Sequence, residues 1–293
     1  MFAINHKIYY DFSMRINLKK LASFGVAGNF TGHLEQAGED KDFIAITTAE
    51  ENAPKALFPT YFPFKKMNAI IPDFLKIFPF SSRQIIFPKD EEKLQIEPEC
   101  AVIFDVIWNN NLVEKLIPVC FTASNDCSIR KEGAKKISLK KNWGKCSKGI
   151  SKQFIALDSF SKGSILDDYR ISCFLVRENE VFEYGEESAI KNYSYIYDKL
   201  SSWIIDKLNF QEDFGPAENV NRYLNSIDNP QRILVSIGAT RYTDFGQKNY
   251  LNKGDEAVVI IYPECKYRYD DIKKAALNAR KLSGCSILRQ KIK

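Results

Sequence analysis

At 293 residues with 45% hydrophobic side chains, the chain can bury a sizeable core, which excludes a disordered protein. The net charge of +5 falls short of the basic excess of a dedicated nucleic-acid binder, and the apolar runs are far shorter than the roughly 20 residues of a membrane span. Neither nucleic acid nor membrane is therefore expected as a partner. The first residues include basic side chains but no continuous apolar run of a secretory leader, so a cytoplasmic location is expected.

Two residue types narrow the chemistry. Only His6 and His33 are present, which excludes a histidine-rich zinc or iron site. A bound metal would need carboxylate oxygens, and those select Mg2+, Mn2+ or Ca2+. The seven cysteines are odd in number and lack a C-x-x-C pair, so they predict small buried apolar residues and no disulfide framework. Cys127 and Cys146, in a basic stretch, are the two candidates for a reactive thiol.

In chain order, residues 1–23 read as a lead-in, followed by Gly25-Val26-Ala27-Gly28 and a short helix from about Thr31. The stretch 53–88 is rich in Pro and Phe, which predicts loop with short strands and a lid over a site. Residues 101–108 and 112–123 are β-branched and aromatic, and the Asn-rich step between them predicts two adjoining strands. Residues 170–176 and 181–184 read as a hairpin. Leu200, Trp203, Ile204 and Leu208 recur on one face, which predicts a helix over 195–208. A shorter helix follows at 217–224, then strands at 232–237 and 256–262. The end, 263–293, reads as a basic helix (269–282) and tail. The whole predicts a single β-rich α+β domain over 1–293.

Glu97-Pro98-Glu99 stands before the first long strand. In extended backbone, side chains two apart share a face. The two carboxylates would therefore converge and repel unless a cation lies between them; a solvated acidic turn is the alternative. Asn125-Asp126-Cys127-Ser128-Ile129-Arg130 follows the second strand and offers Asp126 as a third oxygen ligand and Arg130 as a carboxylate fork. From Arg130 to Gly149 the basic residues crowd together, with Trp143 the one aromatic among them. That predicts a solvated basic loop with one or two lysines turned inward. His33, near a helix start, is a candidate general base because a helix N-terminus disfavours the imidazolium. Gly25-x-x-Gly28 and Tyr195-x-x-x-Lys199 lack the context of a nucleotide site and read as structural.

In this order the motifs resemble those of the fumarylacetoacetate hydrolase superfamily. Gly28-Asn29-Phe30-Thr31-Gly32-His33 is similar to its G-x-N-[YF]-x-x-H segment, Glu97-Pro98-Glu99 to its E-x-E, and Asn125 to Arg130 to its N-D-x-S-x-R. Lys141-Asn142-Trp143-Gly144 fits the lysine that follows, while Ile237-Gly238-Ala239-Thr240 and Lys253-Gly254-Asp255 are weaker matches to two later elements. The resemblance implies a rolled mixed β-sheet core with peripheral helices. It further implies a divalent cation, Mg2+ or else Mn2+ or Ca2+, held by Glu97, Glu99 and Asp126. The implied activity is a metal-dependent hydrolase or lyase on a small anionic 2-oxo acid or 1,3-dicarbonyl compound, in a homodimer. His33 would be the base, Lys141 would neutralise developing charge, and Arg130 and Thr240 would contact substrate. The family's helper acid belongs three residues after the histidine. Here Gln36 stands there and Glu35 one place earlier, so Glu35 is the nearest acid for that role. A non-catalytic descendant that binds a small anion or a protein is the alternative.

Overall fold

The computed structural model describes residues 16–63, 70–91, 93–131 and 133–293. His6 and most of the 1–23 lead-in lie outside them, as does part of the Pro- and Phe-rich stretch. The long strands Pro98–Asn109 and Leu112–Asn125 form a hairpin. Its turn is closed by Asn110 in left-handed backbone (φ 54°), a conformation Asn tolerates better than most residues. The near-continuous apolar run of the first strand is explained by its position between two neighbours. Arg232–Ala239 pairs with it on one side and the hairpin partner on the other.

These strands are central to an eight-stranded mixed sheet. Beyond Arg232–Ala239 it continues through Ala22–Ala27, which runs parallel, to Ala56–Tyr61 at the edge. That edge position accommodates Pro59, which has no N–H to give a further neighbour. A second, five-stranded sheet runs in the order Glu180–Ala189, Tyr169–Arg177, Glu256–Pro263, Ser286–Ile292, Gln84–Ile85. The sheets curl around one core in which Phe121 meets Tyr169 edge-on, ring centroids 4.9 Å apart. A third pairing is short: Leu94–Gln95 with Ser128–Ile129. It clamps together the chain leading into one long strand and the chain leaving the other.

The helix Tyr197–Phe210 buries Leu200, Ile204 and Leu208, as the periodicity predicts. Val220–Asn225 is the second expected helix. Two expectations need correction. The C-terminal helix ends at Leu277, and the tail beyond it is the strand Ser286–Ile292, with Ser286, Leu288, Gln290 and Ile292 turned inward. Within the described part of the Pro- and Phe-rich stretch, Ala56–Tyr61 is a fully buried strand and forms wall, not lid. No cysteine is paired among the described residues, and five of the seven are buried. Burial pushes the Cys127 thiol up to about 12, so it is no thiolate. No described helix is long and apolar enough to cross a membrane.

One tight packing contact supports the site described below. Gly246 lies against the backbone carbonyl of Tyr184, where an added Cβ would overlap it, and its own carbonyl accepts the side-chain amide of Gln95 at 3.0 Å. Overpacking against backbone costs about 1–3 kcal/mol. Gly246→Ala should therefore lower the melting temperature by about 5 °C, measured by calorimetry; an unchanged transition would show that this contact is loose.

Candidate functional site

The hairpin brings the three predicted acids together. Pro98 is opposite Asn125 in the register, so Glu97 and Glu99 at the start of one strand meet Asp126 just past the end of the other. Each is at most 2% exposed, and an oxygen from each lies within 4.8 Å of the others. The neighbouring motif residues hold this geometry. Asn125 Oδ1 accepts the Glu97 N–H at 3.1 Å, and Asn125 Nδ2 donates to Gln290 Oε1 at 3.0 Å. Ser128 Oγ donates to the Asp126 carbonyl at 2.9 Å. Thr240, also buried, donates its N–H to the Pro98 carbonyl at 3.2 Å. Gly238 donates its N–H to Glu99 Oε2 at 3.0 Å. Its φ of 119° and the Asn29 Cβ, 3.0 Å from where a Cβ would sit, both require glycine there.

Basic residues converge on these acids. Lys141 Nζ lies 2.5 Å from Glu97 Oε2 and 3.0 Å from Asp126 Oδ2. Arg130 Nη2 lies 2.8 Å from Glu97 Oε1. Lys148, an inward lysine that nothing in the sequence singles out, lies 2.6 Å from Asp126 Oδ1 and donates to the Cys127 carbonyl at 2.8 Å. With Lys140, three lysines of the predicted basic loop face inward beside Arg130, where one or two were expected. Burial works against the Glu97 charge, but Lys141 and then Arg130 outweigh it and hold its carboxyl well below the usual range. Glu99 is the opposite case. Burial, then the Asp126 and Glu97 charges, raise it well above that range.

The donor set suits a hard divalent cation: three carboxylates, with no sulfur or imidazole among them. Glu97 Oε1 and Asp126 Oδ2 also lack a well-aligned hydrogen bond and have only ion-pair contacts with Arg130 and Lys141. A cavity of about 10 Å³, lined by His33, Glu97, Glu99 and Lys141 among others, has room for about one water-sized particle.

His33 opens the helix His33–Ala37. Its ring is 4% exposed and 5.1 Å from that of Tyr242. The expected acid of this helix is not brought to the cluster: Glu35 is exposed. Gln36 accepts the Tyr242 N–H at 2.8 Å and donates to its carbonyl at 3.1 Å, a structural cross-link. The acid that arrives is Glu39, 3% exposed, with Oε1 2.7 Å from Arg130 Nη1 and 3.1 Å from Lys140 Nζ. Helical spacing could not indicate it, because the chain leaves the helix at Gly38 and turns back. Lys253-Gly254-Asp255 is a turn tied elsewhere, Asp255 pairing with Arg177 at 2.7 Å. Outside the cluster opens a polar cleft of about 930 Å³, lined by Glu39, Gln95, Arg130 and Lys140 among others.

Burial, more than the helix end, keeps His33 neutral, and its pKa falls from 6.5 to about 4. Between those two values the unfolded chain binds the extra proton, so the stability that neutral His33 contributes is lost as pH falls from 6.5 to 4. Relative to His33→Gln, wild type should lose about 3 kcal/mol across that window, measured by urea unfolding of metal-free protein at steps from pH 7 to pH 4. A difference that stays constant with pH would contradict a buried neutral ring.

Comparison with known proteins follows the same lines. No curated protein matches the sequence. Among solved structures, Cg1458 bound to an inhibitor is 14% identical, with 94% of this chain and 77% of that one covered and a TM-score of 0.56. A 5-carboxymethyl-2-hydroxymuconate delta-isomerase from Mycobacterium smegmatis is 11% identical, covering 94% and 80%, with a TM-score of 0.51. A putative HpcE protein from the same organism is 13% identical, covering 94% and 75%, with a TM-score of 0.51. At such identities the likeness is one of fold, and that fold is the fumarylacetoacetate hydrolase-like one the motif order implied. The model of a family of unknown function, DUF5718, matches residues 39–292, and the chain belongs to that family.

Proposed function

We propose that this chain is a divalent-metal-dependent hydrolase or lyase acting on a small 2-oxo acid or 1,3-dicarbonyl compound. One observation supports it most: three buried carboxylates, from both ends of a hairpin, within 4.8 Å of one another beside a neutral imidazole and three cations. Glu97, Glu99 and Asp126 would hold the cation, Mg2+ or else Mn2+ or Ca2+. When bound it supplies Lewis acidity that polarises a substrate carbonyl.

The chain's own residues would do the rest. His33, unprotonated at neutral pH and with Nδ1 free of a hydrogen bond, can take a proton from water or from a substrate carbon. Lys141 keeps its charge, because Asp126 and then Glu97 more than offset the cost of burying it. It can neutralise negative charge that develops on the substrate oxygen. Arg130 and Thr240 would orient the substrate. The apolar walls of Phe58 and Ala239 around the inner cavity keep bulk water from this chemistry. One observation favours the alternative of a non-catalytic anion-binding descendant: Lys141 and Lys148 already neutralise the triad.

Saturating Mg2+ or Mn2+ should raise the melting temperature by about 5 °C, corresponding to about 2.7 kcal/mol at a hundredfold excess over Kd. The Glu97→Gln, Glu99→Gln double variant should show no such rise. No shift in wild type, or an equal shift in the double variant, would end the metal proposal. With metal present, turnover of acylpyruvates or oxaloacetate that disappears in His33→Gln would eliminate the non-catalytic alternative.

A further inference from the structure

The outer cleft and the inner cavity share one wall, Glu39, which lines both. Its Oε1 is the meeting point of two cations, Arg130 Nη1 at 2.7 Å and Lys140 Nζ at 3.1 Å. Both cations are nearly buried, at 8% and 4% side-chain exposure, and both border the cleft. The other donors of Arg130 are committed to the protein. Nε binds Gln95 Oε1 at 2.6 Å, and Nη2 binds Tyr242 Oη at 2.7 Å and Glu97 Oε1 at 2.8 Å. Nη1 is therefore the edge at which a carboxylate from the cleft would arrive, and a carboxylate of the chain itself sits on it.

We propose that Glu39 is an internal stand-in for a ligand carboxylate. It fills the seat formed by Arg130 and Lys140, and a small carboxylate entering from the cleft takes that seat as Glu39 leaves. The exchange is one anion for another, so the charge balance around Arg130 and Lys140, which also pair with Glu97 at 2.8 Å and Asp42 at 2.6 Å, is kept. A buried charge imbalance would be costly. The segment carrying Glu39 is tied by the Glu39 N–H to the Leu34 carbonyl at 2.9 Å and by Asp42 to Lys140 at 2.6 Å. Gly38, in left-handed backbone (φ 68°), joins it to the helix with no atom within 4 Å of the position of a Cβ. Of the Asp40–Phe43 turn beyond it, Phe43 alone is buried. The inference rests on the proposed function for the choice of ligand class and not for the seat, which needs no metal.

A binding-competent seat that is mostly occupied lowers apparent affinity by the fraction of chains that are open. Glu39→Gln should therefore bind oxalate or pyruvate at least about tenfold more tightly than wild type, by calorimetry in the presence of a chelator. Asp40→Asn, which removes the same charge from the exposed neighbour, should bind as wild type does, and Lys140→Met added to Glu39→Gln should abolish the gain. Unchanged or weaker binding in Glu39→Gln, or an equal gain in Asp40→Asn, would overturn the proposal. If Glu39→Gln fails to fold, wild type supplies the test: saturating oxalate should speed amide exchange over residues 38–43, and unchanged exchange would overturn it. A metal shift without the Glu39→Gln gain defeats this inference alone, and the gain without a metal shift defeats the metal proposal alone.

Discussion

Lys141 Nζ bridges Glu97 and Asp126 at 2.5 and 3.0 Å, and the centre of the molecule depends on that ammonium. Three carboxylates this close and this buried cannot all be ionised without positive charge among them. The chain supplies it from one loop. Lys141 satisfies two acids, Lys148 takes the remaining oxygen of Asp126, and Arg130 takes the remaining oxygen of Glu97. Among the described residues Glu99 has no ion pair and accepts the N–H of Gly238, and burial, then the Asp126 and Glu97 charges, push it toward the neutral form. Counting Glu39 and Lys140, four buried acids face four buried bases. The protonation pattern follows from which acid each base can reach.

That balance depends on backbone geometry. A hairpin returns its two ends to the same place, so residues at positions 97–99 and 126 become neighbours without any long loop having to be ordered. The short Leu94–Gln95 and Ser128–Ile129 pairing extends the clamp past the acids. Gln95 then fixes Arg130 from one side while Gly246 holds Gln95 from the other. The second sheet contributes through Gln290, which accepts from Asn125 and donates to the Lys148 carbonyl. A loose contact anywhere along this series would leave a charge misplaced, and at this depth a misplaced charge is expensive.

How much of this was visible in the sequence depended on whether the signal was local. Of the triad, strand alternation put Glu97 and Glu99 on one face, and the resemblance of Asn125 to Arg130 to a family motif added Asp126. His33 was visible as one of two histidines, placed near a helix start, although its neutrality is due to burial. Glu39, Lys140 and Lys148 were hidden. A run of lysines does not reveal which way each one points, and Glu39 reaches the site only because the chain reverses at Gly38. Glu35 had the better position along the helix and the wrong face. The C-terminal strand was obscured for a different reason: two of its four inward residues are Ser286 and Gln290. They are buried because they bond across to the other sheet, Ser286 accepting the Ala123 N–H at 2.9 Å, and a hydropathy pattern counts them as outward.

The same charge balance constrains the proposed chemistry. Four acids against four bases already approach neutrality, so accepting a divalent cation would require the chain to give up positive charge nearby. Two adjustments are within reach. Glu99, raised by burial and then by Asp126 and Glu97, would have to ionise, and Lys141 would have to turn from the triad toward the substrate oxygen it is proposed to neutralise. Both would move charge in the direction the proposed chemistry needs, leaving the carboxylates to hold a cation and the ammonium to meet a developing anion. Lys148 has no such freedom, held between Asp126 and the Cys127 carbonyl, and its pKa is lowered first by burial. It would serve as the fixed counter-charge that keeps Asp126 in place.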